Sequence, residues 1–426
     1  MKFLPILAAL AMFSGTAQSS EYIDAITAHL YSGTAKAGLR EAHKGCAESN
    51  TEACFGAGLL MLVTAYEGLA RDFYRHGAVM PGETPASILL GIGSTGPGTP
   101  SNPNPEQLTY PQFRDMLDRF VRKLDEAKVD FSFAGKSGDY VVTIDPRLVI
   151  IDFNGDGKAG EGENLGALLD VNADWAMVPA PEASATGSTK DKGTGLAPDW
   201  RVGFDRADAF WFAGYTQVVA APFDLLLAHD FSEFFGAYMH RVFPRAGLPM
   251  QNHTTGGIVF VDPMGDSGIA DMIASVHTLN FPVIDKQRLA TVLSRLKTIT
   301  ALSRQNWEVI LAETDDYREL VPSPRQTAIP SVLPVTQEVV DAWLATLDTV
   351  DQVLAGELLV PHWRFKQGFD LKLYFETAER TDLIMLFTGS GALPYLRDGP
   401  IADEQSFAEA NQTLGYDWLT YAFWFN

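Results

Sequence analysis

Cysteine is nearly absent from this chain: two residues, Cys46 and Cys54, in 426. That excludes a cysteine-rich scaffold and a thiolate zinc cluster. Their close spacing reads as one disulfide stapling adjacent segments of an exported chain. Basic residues are also few, 32 Lys and Arg against 53 Asp and Glu, for a formal net charge of −21. Such a balance disfavours a phosphate backbone or an anionic membrane as partner, and no nucleic acid is expected. Past the N-terminus no uninterrupted apolar run reaches the length of a bilayer span, so no transmembrane segment is expected in the mature chain.

Familiar catalytic signatures are missing as well. Asp130 stands where a phosphate-binding G-x-x-x-x-G-K-S loop needs its first glycine before Gly135-Lys136-Ser137. Gly389-Ser390-Gly391 is no nucleophile elbow, and there is no H-E-x-x-H zinc pattern.

Met1-Lys2-Phe3, an apolar run to Phe13 and the small residues Ser14 to Ala17 have the layout of a secretory signal peptide over 1–17. The remaining 18–426 reads as one large, mainly helical domain in the periplasm or outside the cell. A stripe from Ile23 to Leu30, a continuation over Ala35 to His43, and the apolar Phe55 to Phe73 predict helices flanking the cysteine loop. Thr109 with Gln112 three residues on is a capping box, opening a helix with Phe113, Met116, Leu117, Phe120, Val121 and Leu124 on its buried face. Lys128 to Asp139 reads as a linker.

Further helices are expected from Asp205 to Leu227, across Pro222; over Phe231 to Val242; toward His277; after the cap Asp285; and after Thr336. Pro179 to Asp199 reads as a flexible insertion. The tail suggests short strands, Leu383 to Phe387 among them, and the aromatic end Trp418 to Phe425 is expected to dock on the core. Gly56 to Tyr66 and the stretch from Phe212 onward echo each other, as divergent helical repeat units would. The fold class is mainly α: an irregular helical bundle, with divergent repeat-like pairs as one form of it, and minor β content.

The stretch that names a chemistry is Asp152-Phe-Asn154-Gly-Asp156-Gly157-Lys158-Ala-Gly-Glu-Gly-Glu163, which fits the EF-hand pattern D-x-N-x-D-G-x5-E. Asp152, Asn154 and Asp156 take positions 1, 3 and 5; Lys158 offers its carbonyl at 7, and Glu163 closes the site at 12. Calcium needs six to eight oxygens in a flexible shell, and Gly157 supplies the sharp turn. Gly160 at position 9 leaves that ligand to water. The preceding Tyr140 to Ile151 is β-branched and reads as extended, so the loop is EF-hand-like without an entering helix.

Other groupings are weaker. His229-Asp230, with Asp205, Asp208 and Asp224 nearby in sequence, is the best general-base neighbourhood, and His240 and His253 could line the same cleft. Asp262, Asp266 and Asp271 could form a second cation site or cap a helix. Glu313, Asp315, Asp316 and Glu319 fit either an acidic cleft or a solvated helix end.

The segments IDFNGDGKAGEGE, FDRADAFWFAGY, LLAHDFSEFF, ALSRQNWEVILAETDDYREL and YAFWFN resemble a group of uncharacterised secreted bacterial helical proteins carrying a single EF-hand-like loop. The resemblance implies a periplasmic or secreted location and calcium as the ion, and assigns ligand roles only within 152–163. The first functional reading is a calcium-binding protein with a structural or partner-binding role, the partner being a protein or a small molecule. The second is a calcium-supported hydrolase with a carboxylate and histidine cleft.

Overall fold

The computed structural model describes residues 21–79, 102–158, 160, 162–165, 200–250, 266–326 and 333–426. The signal region 1–17, the insertion 179–199, His253 and Asp262 lie outside the described residues. The chain is mainly helical, with short strands, as the periodicity predicts.

Five long helices form the frame: α3 (Thr51–Arg75), α4 (Tyr110–Ala134), α5 (Arg206–Leu227), α8 (Lys286–Ala312) and α9 (Gln337–Ala355). Each packs antiparallel on the next. Phe55 meets Phe131 at 5.7 Å while Phe73 meets Phe113 at 6.5 Å, so α3 and α4 run in opposite directions. Phe131 on Phe212 and Phe120 on Phe223 reverse the direction again between α4 and α5. Two shorter helices, α1 (Glu21–Tyr31) and α2 (Ala35–Ala47), cover α3, and the disulfide Cys46–Cys54 joins α2 to α3 with Cα atoms 4.5 Å apart.

Local chemistry sets the helix starts. Thr109 and Gln112 form the expected capping box, Asp205 and Asp208 form a second, and Asp285 accepts from the Arg288 amide at 2.8 Å. Helix α4 continues to Ala134, through the expected linker, because Ala127, Phe131 and Ala134 are all buried against α3 and α5. Helix α5 is continuous across Pro222. Small residues in the two echoing segments permit close approach: a Cβ on Gly58 would lie 2.7 Å from the Phe131 ring, and one on Gly214 2.7 Å from Asn426.

Helices α3 and α5 are long and apolar enough to cross a membrane by length and composition, yet 61% and 50% of their most apolar windows are buried inside the protein. Both also carry buried acids, Glu67 in α3 and Asp208 and Asp224 in α5.

Among the described residues the remaining α-helices are α6 (Ser232–Tyr238), α7 (Asp266–His277), α10 (Leu371–Thr377), α11 (Leu383–Thr388), α12 (Ala408–Thr413) and α13 (Trp418–Phe425). The stretch Phe231 to Val242 is therefore shorter as α-helix than its pattern suggests, closing in a 3-10 turn over Met239–Arg241. Leu383 to Phe387 is helix rather than strand, since Asp382 caps it by accepting from the Met385 amide at 2.9 Å. The strands pair in antiparallel twos: β1 (Val142–Ile144) with β2 (Val202–Phe204), β3 (Asn280–Pro282) with β5 (Arg380–Asp382), and β4 (Gly368–Phe369) with β6 (Leu396–Arg397). The aromatic end docks as expected: Phe425 lies 4.7 Å from Trp307, and the Trp211 indole donates to the Trp424 carbonyl at 2.7 Å.

A polar spine runs through this apolar frame. Asp224 of α5, 2% exposed, accepts from Arg288 Nε and Arg295 Nε of α8, each at 2.6 Å. Arg295 also reaches Asp125 of α4 at 2.7 Å and Gln217 of α5 at 2.7 Å. Removing one partner of a buried ionic network leaves charge uncompensated and costs about 3–5 kcal/mol, whereas an exposed pair contributes up to about 1 kcal/mol. Asp224→Ala should therefore lower unfolding free energy in urea far more than Asp118→Ala, whose carboxylate also binds Arg288 but is partly solvated.

Candidate metal centre

Extended residues 149–151 carry the acidic loop outward, and residues 163–165 bring it back alongside. The Ile151 amide donates to the Glu163 carbonyl at 2.8 Å, the Leu165 amide donates to the Val149 carbonyl at 2.8 Å, and Ile150 bridges Asn164. The loop thus closes on its own stalk with no entering α-helix; the stretch read as extended forms β1 and then a 3-10 turn over Pro146–Leu148, where Asp145 accepts from the Arg147 amide at 3.0 Å. Leu165 is the last described residue on this side of the loop.

Within the loop the backbone winds around the acids. Asp152 accepts from the amides of Gly155 at 2.7 Å and Gly157 at 3.0 Å; Asn154 accepts from Asp156 at 2.8 Å, and Asp156 from Lys158 at 2.8 Å. Gly155, Gly157 and Gly162 have φ of +78°, +73° and +87°. A Cβ on Gly157 would touch nothing within 4 Å, so it is the left-handed backbone and not crowding that requires glycine there.

Asp152, Asp156 and Glu163 each place a carboxylate oxygen within 4.8 Å of the other two. Ligand distances of 2.3–2.6 Å put opposite oxygens about 5 Å apart across one calcium ion, so the three fit a single shell. Asp152 and Glu163 are 3% and 1% exposed, while Asp156 and Lys158 face solvent. Glu163 Oε2 accepts from the Gly160 amide at 2.7 Å, but its buried Oε1 has no hydrogen-bond partner. A buried carboxylate oxygen without a donor is costly, and a cation satisfies it directly.

Three residues of α3, Glu67, Arg71 and Tyr74, hold the loop on the core. Arg71 of α3 donates to the Asp152 carbonyl and to Asp152 Oδ2, both at 2.7 Å, and pairs with Glu67 at 3.2 Å. Burial pushes the Glu67 carboxyl up, and Arg71 opposes that shift. The i, i+4 pair Glu67 and Arg71 is legible on a predicted helix, but its target, 81 residues downstream of Arg71, is not. Phe153 adds a ring contact with Tyr74 at 5.9 Å.

The other predicted groupings separate. His229 is buried with both ring nitrogens engaged, Nδ1 at 2.6 Å from the Leu225 carbonyl and Nε2 at 2.6 Å from Thr381 Oγ1. Burial lowers its pKa, and it pins α5 to the β3–β5 ribbon. Asp224 is committed to the arginine network, and Asp208 lies about 24 Å away along α5 at 1.5 Å per residue. His240 and Arg241 both bind Asp271, at 3.1 and 3.0 Å, which ties Asp271 down by ion pairing; the side chain of Asp266 lies outside the described residues.

One acidic group is gathered that sequence spacing does not reveal. The loop after α8 brings Glu313 and Glu319 to the capping pair Asp205 and Asp208, and among the described residues none of the four is salt-bridged. Burial and Asp205 raise Glu313 to about 8; burial, with Asp205 and Asp315 nearby, raises Glu319 to about 7. Burial also raises Asp205 and, more strongly, Asp208.

Comparison with protein-family models, curated proteins and solved structures finds no match to this chain.

Because these glutamates bind protons more tightly folded than unfolded, their stabilisation is complete below the unfolded glutamate value of about 4.3 and is lost as pH rises through about 7 and about 8. Melting temperature should fall from pH 6 to pH 9, and Glu313→Gln with Glu319→Gln should flatten that slope relative to wild type. Separately, Gly157→Ala should destabilise the loop by about 1–2 kcal/mol through its left-handed φ alone, read as faster amide exchange over 152–158.

Proposed function

We propose that this chain is a secreted or periplasmic calcium-binding protein in which one ion orders the 152–163 loop against helix α3, in a structural or partner-binding role. The observation that carries the reading is the buried, donor-free Oε1 of Glu163 beside Asp152 and Asp156. Asn154 and the carbonyl of Lys158 are the further protein ligands on this reading, and water completes the shell. The disulfide Cys46–Cys54 is in keeping with an oxidising compartment. A structural role is favoured over the hydrolase because His229, the base that reading requires, has neither ring nitrogen free.

Calorimetric titration of the chelator-stripped mature protein should give one site with Kd of about 10^-4 to 10^-3 M and a higher melting temperature at saturating calcium. Asp156→Ala is the clean variant, since Asp152→Ala also breaks the Arg71 pair. It should abolish the heat of binding and leave the calcium-free melt unchanged. Wild-type protein that shows neither binding nor stabilisation would overturn the proposal.

A further inference from the structure

Helix α11, Leu383-Ile-Met-Leu-Phe-Thr388, is apolar around nearly its whole circumference, yet none of its residues is buried. A helix of this kind normally sits inside a protein core or a membrane. Its neighbour Trp363 is 67% exposed and Phe387 is 73% exposed, and their rings lie 6.5 Å apart. Together with Leu383, Ile384, Met385 and Leu393 they expose on the order of 600 Å² of apolar surface, at the upper end for a monomer's largest patch.

Four carbonyls of α11 and the Trp363 indole are paired from within. At the end of α11, where carbonyls usually rely on water, the Ile384 carbonyl accepts from the Thr388 hydroxyl at 2.8 Å and that of Met385 from the Gly389 and Gly391 amides at 2.9 and 2.8 Å. The Leu386 carbonyl is 3.1 Å from His362 Nε2, and the Phe387 carbonyl accepts from the Trp363 indole at 2.9 Å. Entering a non-aqueous phase therefore leaves these carbonyls and the indole N–H paired.

Charge selects the occupant. In a chain of net charge −21, residues 358–369 and 383–397 contain no acid, and of the acids that border them Asp370 is buried and paired with Arg397 while Asp382 is engaged in capping α11. Arg364, stacked on the Trp363 ring at 4.3 Å, and Lys366 are exposed and take part in no ion pair among the described residues. An aromatic and aliphatic face flanked by free cations matches the headgroup boundary of an anionic bilayer, where Trp settles and Lys and Arg are attracted.

We propose that the Trp363 and α11 face is a peripheral docking surface for anionic lipid membranes, independent of the acidic loop. The acidic body remains in water while this face inserts its rings to headgroup depth.

Full-length mature protein is sedimented with phosphatidylcholine vesicles and with vesicles containing phosphatidylglycerol. Wild type should partition onto the anionic vesicles and much less onto the neutral ones. Trp363→Ser with Phe387→Ser should lower partitioning about tenfold or more, and Arg364→Glu with Lys366→Glu should remove the anionic preference. All four positions are exposed, and unchanged melting curves would verify folding. Wild type that stays in the supernatant with both vesicles overturns the proposal, as does equal binding by wild type and the ring variants. A mass in solution that doubles for wild type and not for Phe387→Ser, without vesicle binding, would instead assign the face to a second copy of this chain.

Discussion

The carboxylate of Asp224 sets the register of the bundle. Apolar contacts among α4, α5 and α8 tolerate sliding, since one phenylalanine can replace another along a greasy face. An ion pair cannot slide: Arg288 and Arg295 must each meet their own oxygen of Asp224, and Arg295 must reach Asp125 in the same pose. With both partners desolvated, a displacement of one helical turn would leave several charges unpaired at a cost exceeding any gain in packing. This register brings the start of α5 to the end of α8 and so gathers Asp205 and Asp208 with Glu313 and Glu319. It also leaves Gly214 opposite the terminal Asn426.

The acidic loop depends on the same frame by a different route. Its winding is local, made of amides turned onto side-chain oxygens two to five residues away. Its position is not: Arg71, held on the buried surface of α3, grips both the carbonyl and the carboxylate of Asp152. An ion at the loop would therefore be felt by α3 through Arg71 and through Glu67, which accepts from the Asp152 amide at 3.3 Å, and the loop is anchored even where Asp156 and Lys158 face water.

Two surfaces of opposite character share this molecule. The acidic group around Glu313 lies where a helix start meets a loop, with burial raising its affinity for protons. The tail carries an exposed apolar face whose Leu386 and Phe387 carbonyls are paired from within. Bulk charge describes neither, because each is defined by which few residues lie side by side.

Most long-helix positions, the caps at Thr109 and Asp285, the single disulfide and the ligand spacing of 152–163 were legible in the sequence. Each is decided by residues within a few positions of one another, where periodicity and capping chemistry operate. The extension of α4 into the expected linker, the separation of His229 from Asp208, and the union of Asp205 with Glu313 were decided only by tertiary structure. Those outcomes rest on partners 80 to 170 residues apart, such as Arg71 with Asp152 and Arg295 with Asp125. Local pattern carries no information about such distances: the free energy that fixes them comes from pairing and burying groups that the chain brings together only when it folds.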